Sequence, residues 1–133
     1  MSDSAATAGR PVLIPGPNHP ITIEPNPGRV IVRAGDRVLA DTGNALTLRE
    51  AGYAPVQYVP LGDVERELLT PSDHATYCPF KGDASYYSVP VAGERGLDAV
   101  WEYQHPYDAV AAIRGHVAFY PDQVEIEERF DQG

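Results

Sequence analysis

Apolar and polar residues alternate over short segments along most of this 133-residue chain, which is the pattern of β-strands that bury one face. Glycine, proline, asparagine and aspartate separate the segments, as they do in turns. Residues 45–53 also fit a helical repeat, because Leu46 and Glu50 could share a helix face, but we favour a strand there. The strands predicted from the alternation are 21–24, 29–34, 37–41, 45–53, 56–59, 84–89, 99–104, 116–120 and 123–130.

The clearest predicted hairpin joins the second and third of these strands over residues 35–36, where a glycine can supply the positive φ that a two-residue turn requires. The predicted register places Val32 opposite Leu39 and Val30 opposite Asp41. An aspartate on an otherwise apolar face needs an explanation. The simpler interpretation is that Asp41 caps the following turn through its side chain, and a role in a ligand site is the alternative.

Short helices are predicted at two places. Residues 63–69 begin with a suitable N-cap and Pro71 prevents their continuation, although an extended conformation also fits. Residues 106–114 carry apolar side chains at helical spacing, and Gly115 stands just past the end. The last two strands are predicted to pair as a hairpin over residues 121–122. We therefore expect a mainly β fold, a single compact domain of antiparallel sheets with one or two short helices.

The domain is expected to begin after an N-terminal tail. Residues 1–18 combine small residues with several prolines and have few apolar groups to bury, so we expect them to be flexible. Residues 19–133 are expected to form a single β domain. A chain of this length with 43% hydrophobic residues can build a core without disulfides.

The charge of the chain limits its partners. Ten basic against nineteen acidic residues give a net charge of −9, which repels phosphate backbones and anionic lipid headgroups. We therefore expect no nucleic acid and no membrane among its partners. No apolar run reaches the roughly eighteen residues of a membrane span, and the first residues lack a signal-peptide pattern. These features favour a cytoplasmic protein.

The most unusual chemistry lies in residues 73–83, which contain the only cysteine of the chain, Cys78, and its only lysine, Lys81. Nearby positive charge favours the thiolate form of a cysteine, so an enzyme could use Cys78 or Lys81 as a nucleophile with His74 as proton partner. A structural interpretation is simpler. In it Cys78 is a small buried apolar residue, Lys81 is a solvated cation or one paired with Asp83, and His74 belongs to a turn.

Aromatic residues follow this loop on two neighbouring predicted strands, at Tyr86, Tyr87, Trp101 and Tyr103. An aromatic face can bind planar or cationic molecules, although core packing explains the pattern as well. Beside a lysine, such a face would suit a small planar or anionic ligand, and binding of this unidentified small molecule is the function we expect. The predicted ligand site consists of Lys81, Gly82, Ser85, Tyr86, Trp101, Tyr58 and Asp41, with Cys78 and His74 at its border.

Other classes of function are less well supported by the sequence. The aromatic residues could form a subunit contact, in which case the chain would be an oligomerising interaction module, a homo-oligomer. The four histidines and Cys78 show no recognised zinc-ligand spacing, so we expect no metal and no cofactor. The chain has no glycine-rich phosphate loop and no serine-hydrolase motif.

Several short segments form a series along the chain: His19-Pro20-Ile21, Val38-Leu39-Ala40-Asp41, Tyr58-Val59-Pro60 with Asp63-Val64, Cys78-Pro79-Phe80-Lys81-Gly82-Asp83-Ala84-Ser85-Tyr86, Trp101 and Val117-Ala118-Phe119-Tyr120. This series resembles the bacterial domain-of-unknown-function family numbered 427 over residues 19–127. The resemblance implies a β structure similar to the Mss4-like or β-tent group, and no known reaction. A nucleotidyltransferase-like label attached to the family has no motif support in this chain. Better-known relatives of that fold hold zinc with paired cysteines, which a single cysteine cannot reproduce.

Overall fold

The computed structural model describes residues 10–130 and shows a mainly β chain with antiparallel strands, as the alternation predicts. Short 3₁₀ segments connect several of the strands. The described strands are β1 (Ile21–Pro25), β2 (Arg29–Ala34), β3 (Arg37–Thr42), β4 (Leu46–Glu50), β5 (Val56–Pro60), β6 (Thr70–Cys78), β7 (Gly82–Ser88), β8 (Val100–Glu102), β9 (His116–Phe119) and β10 (Glu125–Arg129).

Two sheets make up the single compact domain. The larger sheet has seven strands in the order β1, β4, β5, β9, β8, β7, β6, so that β1 and β6 are its edges. The smaller sheet has three strands in the order β10, β2, β3. Strands that are neighbours in the larger sheet are therefore often distant in the sequence.

The main hydrophobic core joins the two sheets. Val30 and Val32 of β2 and Leu39 of β3 belong to the same buried cluster as Val59 of β5 and Val117 of β9. All five side chains are almost completely buried. Burial of aliphatic side chains in this number is the dominant favourable contribution to folding.

The opposite face of the larger sheet carries a second cluster. Since successive side chains of a strand point to opposite faces, Tyr58 and Ala118, the neighbours of the core valines, lie on this second face together with Trp101. Val110 and Ile113 from the segment before β9 complete the cluster. This second face is rich in aromatic residues and is the one that forms the candidate site.

The hairpin of β2 and β3 is confirmed, but its predicted register is wrong by one residue. A bulge between Val32 and Arg33 shifts the pairing, so that Val32 lies opposite Ala40. As a result Asp41 lies opposite Ile31 rather than Val30. The predicted capping role of Asp41 is also wrong, because the hydroxyl of Thr42 accepts the backbone N–H of Asn44 at 2.9 Å.

The predicted hairpin at the end of the chain is wrong. Strand β9 pairs with β5 and β8 in the larger sheet, whereas β10 pairs with β2 in the smaller one. A turn does form between them, because the backbone N–H groups of Gln123 and Val124 both donate to the carbonyl of Tyr120. Both sides of β9 are already paired, so this turn leads the chain to the other sheet.

The two predicted helices are replaced by short 3₁₀ segments. In place of a helix over 63–69 the structure has Leu61–Asp63 and Arg66–Leu68, separated by Val64 in an extended conformation that bridges to Ala40. The second region is a 3₁₀ segment, Asp108–Ile113, interrupted at Val110. In both places a buried valine is fixed by its packing, which overrides the local helical pattern.

Strand β6 is missing from the sequence-based prediction. It pairs with β7 and brings Cys78 opposite Gly82, with an irregularity between Pro71 and Ala75. Because β6 is an edge strand whose side chains are mostly exposed, it lacks the alternation that reveals the other strands. The Cys78 loop is therefore the tip of a β-hairpin.

Part of the predicted tail, residues 1–9, lies outside the described residues. The rest of that segment contacts the β6–β7 hairpin: Arg10 pairs with Asp83 at 2.5 Å, and the N–H of Leu13 donates to the carbonyl of Pro79 at 3.0 Å. A short bridge joins Gly16 to His19. In the described part of the chain, no helix has the length and apolar character needed to cross a membrane.

A tight backbone contact near β8 provides a test of the fold. A methyl group on Gly96 would lie 2.0 Å from the carbonyl oxygen of Val89. We expect Gly96→Ala to lower the free energy of unfolding by about 1–3 kcal/mol, because backbone atoms must move.

The matched control is Gly62→Ala, since no atom of residues 10–130 lies within 4 Å of the added methyl there. We expect that variant to change stability by less than about 0.5 kcal/mol. Urea denaturation of both variants measures the difference, and equal stabilities would contradict the packing of this region.

Candidate functional site

A tight turn at the tip of the β6–β7 hairpin brings Cys78 and Lys81 together. The backbone N–H of Lys81 donates to the carbonyl of Cys78 at 3.1 Å, and Pro79 between them fixes the φ that the first central position of such a turn requires. Gly82 follows with a φ of 112°, a left-handed conformation that favours glycine. The local sequence Cys-Pro-Phe-Lys-Gly therefore determines the geometry of this tip.

Lys81 is buried and forms an ion pair with Glu50. Its Nζ atom lies 2.5 Å from Oε1 of Glu50, and its side chain is only 9% exposed. Glu50 is the last residue of β4, and Ala51 after it adopts a left-handed φ of 44°. The interpretation of Lys81 as a solvated cation or one paired with Asp83 is wrong, because Lys81 is buried against Glu50 and Asp83 pairs with Arg10.

His19 also binds the Glu50 carboxylate. Its Nε2 atom donates to Oε2 of Glu50 at 2.7 Å, and its ring stacks on Phe80 with centroids 4.0 Å apart. Burial by itself would raise the pKa of Glu50, but the hydrogen bonds from Lys81 and His19 outweigh that effect and hold the pKa below its ordinary value of 4.5. The carboxylate is thus kept ionised.

Cys78 lies beside the same ammonium group. Lys81 Nζ donates to Cys78 Sγ at 3.8 Å, within the range of a weak contact to sulfur. The thiol is free and partly buried. The chain's only cysteine and only lysine, three positions apart in the sequence, are therefore in contact in space.

Aromatic rings surround these polar groups on the second face of the larger sheet. Tyr86 and Trp101 lie opposite each other on β7 and β8, and Trp101 lies opposite Ala118 on β9. The indole N–H of Trp101 donates to the hydroxyl of Tyr58 at 3.2 Å. Tyr120 packs on Trp101 with centroids 4.4 Å apart.

Three tyrosine hydroxyls at this site, those of Tyr58, Tyr103 and Tyr120, remain protonated. Burial raises the pKa of Tyr58 and of Tyr103, and it raises that of Tyr120, where a hydrogen bond to Tyr86 adds to the effect. These three phenols are therefore neutral groups that can donate or accept hydrogen bonds. The hydroxyl of Tyr86 is also 2.9 Å from that of Thr76.

Together these residues enclose a cavity of about 370 Å³, which we call the aromatic cavity. It is open to solvent on one side, where Tyr53 is 70% exposed. One carboxylate and one ammonium group are present in its lining. The lining residues are Leu48, Glu50, Tyr53, Val56, Tyr58, Cys78, Lys81, Tyr86, Trp101, Tyr103 and Tyr120.

Five of the residues predicted for the site line this cavity, namely Lys81, Cys78, Tyr86, Trp101 and Tyr58. The structure does not bring the other four into the lining. His74 is exposed and lies against the Tyr86 ring, with centroids 4.5 Å apart. The other three lie elsewhere: Gly82 is buried next to the carbonyl of His105, Ser85 lies in a separate cleft beside Gln104, and Asp41 forms an exposed ion pair with Arg29.

Sequence reasoning missed the residues that come from distant parts of the chain. Glu50 has no signal beyond its place inside the predicted strand 45–53, and His19 has none beyond its residue type and its place in the series that resembles the family. Tyr103 was recognised as aromatic but not assigned to the site, and Tyr120 was assigned to a strand that pairs differently from the prediction. All four become neighbours only through the order of strands in the larger sheet.

The arrangement permits two kinds of chemistry. The aromatic walls and the Lys81–Glu50 pair can hold a planar molecule, and Cys78 beside Lys81 can act as a nucleophile or be oxidised. Among the described residues, no group of three or more histidine, cysteine, aspartate or glutamate side chains is placed to hold a metal ion.

Comparison with known proteins identifies a family. The family model described as a domain of unknown function (DUF427) matches residues 22–129, which include every residue that lines the aromatic cavity. The match confirms the resemblance seen in the sequence. No curated protein matches the chain.

The lowered pKa of Glu50 predicts a pH dependence of stability. A carboxyl group whose folded-state pKa is depressed stabilises the fold above its unfolded-state pKa, near 4.5, and this contribution is lost as pH falls through the folded-state value. We expect Glu50→Gln to be less stable than the wild type at about pH 7, and the difference to shrink towards about pH 3.

Urea denaturation across this pH range measures the difference. Glu24→Gln is the matched control, because it removes one negative charge from an exposed side chain of the neighbouring strand β1. A difference between wild type and Glu50→Gln that does not vary with pH would show that the ion pair does not stabilise the fold.

Proposed function

The chain belongs to the DUF427 family, whose function is not established, and we propose that it binds a small, planar, uncharged molecule in the aromatic cavity. The observation that carries the proposal is the combination of aromatic walls with a single buried donor–acceptor pair. Rings of Tyr58, Tyr86, Trp101 and Tyr120 offer flat apolar surfaces, and Lys81 and Glu50 supply the polar contacts.

The size and lining of the cavity support a small ligand. Ligand pockets typically enclose about 300–1,000 Å³, with mostly apolar and aromatic walls and a few placed polar groups. At about 370 Å³, the aromatic cavity lies at the lower end of that range. A molecule of one or two fused rings fits this volume.

The ion pair favours an uncharged ligand over the anionic one that the lone lysine suggested. The charges of Lys81 and Glu50 cancel at 2.5 Å, so an added anion would meet the Glu50 carboxylate as well as the ammonium group. A lysine has three N–H donors, and contacts with Glu50 and Cys78 occupy two of them. Glu50 likewise retains lone pairs beyond those used by Lys81 and His19.

The remaining N–H donor of Lys81 and the remaining lone pairs of Glu50 match one kind of polar edge on a ligand ring. A ring that presents a carbonyl oxygen beside an N–H group can accept from Lys81 and donate to Glu50 at the same time. Planar lactams and related nitrogen heterocycles carry this edge. The proposed ligand is therefore a neutral heteroaromatic lactam stacked between the rings.

The only tryptophan of the chain lines the cavity, so its fluorescence reports binding directly. We expect neutral heteroaromatic lactams to quench Trp101 and raise the melting temperature, while benzoate-like anions of similar size bind more weakly. Equal or stronger binding of the anions would contradict the proposed polar contacts.

Tyr86 and Tyr87 provide matched variants, because they are neighbours on β7 but only Tyr86 lines the cavity. Loss of an aromatic contact is expected to weaken binding by about tenfold in Tyr86→Leu. Tyr87→Leu should retain the affinity of the wild type. Equal losses in both variants would indicate a general effect on folding rather than a binding site.

A second candidate function, an enzyme that uses Cys78 as nucleophile, is favoured by the 3.8 Å contact between Cys78 and Lys81. In this alternative Glu50, rather than the exposed His74, is the proton partner, because it lies 2.5 Å from the ammonium group.

A subunit contact through the aromatic residues stays a prediction, which the dependence of molecular mass on dilution would test.

Reaction with iodoacetamide tests the nucleophile. We expect Cys78 to be alkylated in the folded protein and the reaction to slow by about tenfold in Lys81→Met, since that variant removes the cation that lies 3.8 Å from Sγ. His74→Ala should react like the wild type. A thiol that reacts only after unfolding would exclude the cysteine mechanism.

A further inference from the structure

We propose that Cys78 and Lys81 form a covalent sulfur–nitrogen crosslink when a hydroperoxide oxidises the thiol. The bond would join Sγ to Nζ across the tip of the β6–β7 hairpin. The modification goes beyond ligand binding, because it needs only the two side chains, Glu50 and an oxidant of this class.

The turn places the reacting atoms in contact. Cys78 and Lys81 are the first and fourth residues of a turn closed by a 3.1 Å backbone hydrogen bond, which holds their backbones close together. Their side-chain atoms Sγ and Nζ are already 3.8 Å apart. The flexible four-carbon stem of lysine can cover the remaining distance by rotation about its own bonds, without a change in the hairpin.

Both atoms can be reached by a small oxidant. Cys78 and Lys81 line the aromatic cavity, which opens to solvent and has a volume of about 370 Å³. Sensor cysteines that react with peroxides combine thiolate character with access to solvent, and they are often placed beside a second group that captures the oxidised sulfur. Here the second group is an amine, because the chain has no other cysteine.

The crosslink forms in two steps, oxidation of the thiol and attack by the amine. The sulfur of Cys78 attacks the O–O bond of the hydroperoxide and becomes a sulfenic acid, while the hydroperoxide is reduced by two electrons and leaves as an alcohol, or as water from hydrogen peroxide. The Lys81 nitrogen then attacks the sulfur and displaces hydroxide. Of the three ammonium protons, one passes to Glu50, one leaves with the hydroxide as water, and one remains on the nitrogen.

Glu50 is placed to receive the proton, since its Oε1 atom is 2.5 Å from Nζ. Without this transfer the nitrogen has no lone pair for the attack. The contact with Glu50 also holds the amine next to Cys78 before the reaction. The ion pair that stabilises the site is therefore the same contact that prepares the amine.

The crosslink changes the ligand site, and this consequence rests on the proposed function. A sulfur–nitrogen bond removes the positive charge of Lys81 and leaves Glu50 without its cation. The donor group for the ligand carbonyl is lost, so oxidation is expected to weaken ligand binding. Reduction by a thiol would break the bond and restore the site.

Hydrogen peroxide tests the proposal in the folded wild-type protein. We expect the intact mass to fall by that of two hydrogen atoms and to return after treatment with dithiothreitol. A lysine-specific protease provides a second measurement, because the denatured chain has one lysine. The protease should cut the untreated chain once and should leave the oxidised chain intact until dithiothreitol is added.

Two variants define the outcome. Cys78→Ser should lose no hydrogen and should keep its cleavage at Lys81 after peroxide. Lys81→Arg keeps a positive charge but has a guanidinium that is never deprotonated, so its thiol should gain oxygen atoms instead of losing hydrogen. Oxygen addition in the wild type with normal cleavage at Lys81, or no reaction before unfolding, would overturn the proposal.

The test is independent of ligand binding. Formation of the crosslink in a protein that binds none of the heteroaromatic lactams would contradict the proposed function and leave this inference standing. Binding of a lactam without crosslink formation would support the proposed function and contradict the crosslink.

Discussion

The curvature of the larger sheet is the constraint on which the candidate site depends. Strands β5, β9 and β8 lie between β4 and β7, so four spacings of about 4.8 Å would separate β4 from β7 by roughly 19 Å in a flat sheet. Yet Glu50, at the end of β4, contacts Lys81, just before β7, at 2.5 Å. The sheet must curl to allow this contact, and its concave side encloses the aromatic cavity. The ion pair holds the two ends of the curve together.

The alternation of side chains along each strand determines which residues lie on the two faces of the curved sheet. Val59, Val100 and Val117 face the smaller sheet, and their neighbours Tyr58, Trp101 and Ala118 lie on the other face. Side chains from two sheets meet on the aliphatic side. Among the described residues no second sheet covers the aromatic side. The cavity lies on that uncovered side, where Tyr58 and Trp101 line it.

The sequence predicts the features that depend on residues close together in the chain, and it fails for those that depend on distant residues. Most strands follow from alternation, and the contact of Cys78 with Lys81 follows from a turn of four residues. Pairing between distant strands does not follow from the sequence, because no local signal determines the partner of β9 or β10. The same limit applies to Glu50, the partner of Lys81, because the nearest carboxylate in the sequence is Asp83. The likeness to β-tent proteins stays a prediction.

His19 contributes to the site although it lies before the residues that the family model matches. The family match covers residues 22–129, and that span contains the whole cavity lining but not the imidazole that binds Glu50 at 2.7 Å. A chain shortened to that span would lack this hydrogen bond, and Oε2 of Glu50 would lose the partner that His19 supplies. The electrostatics of the cavity therefore depend on a residue that does not line it.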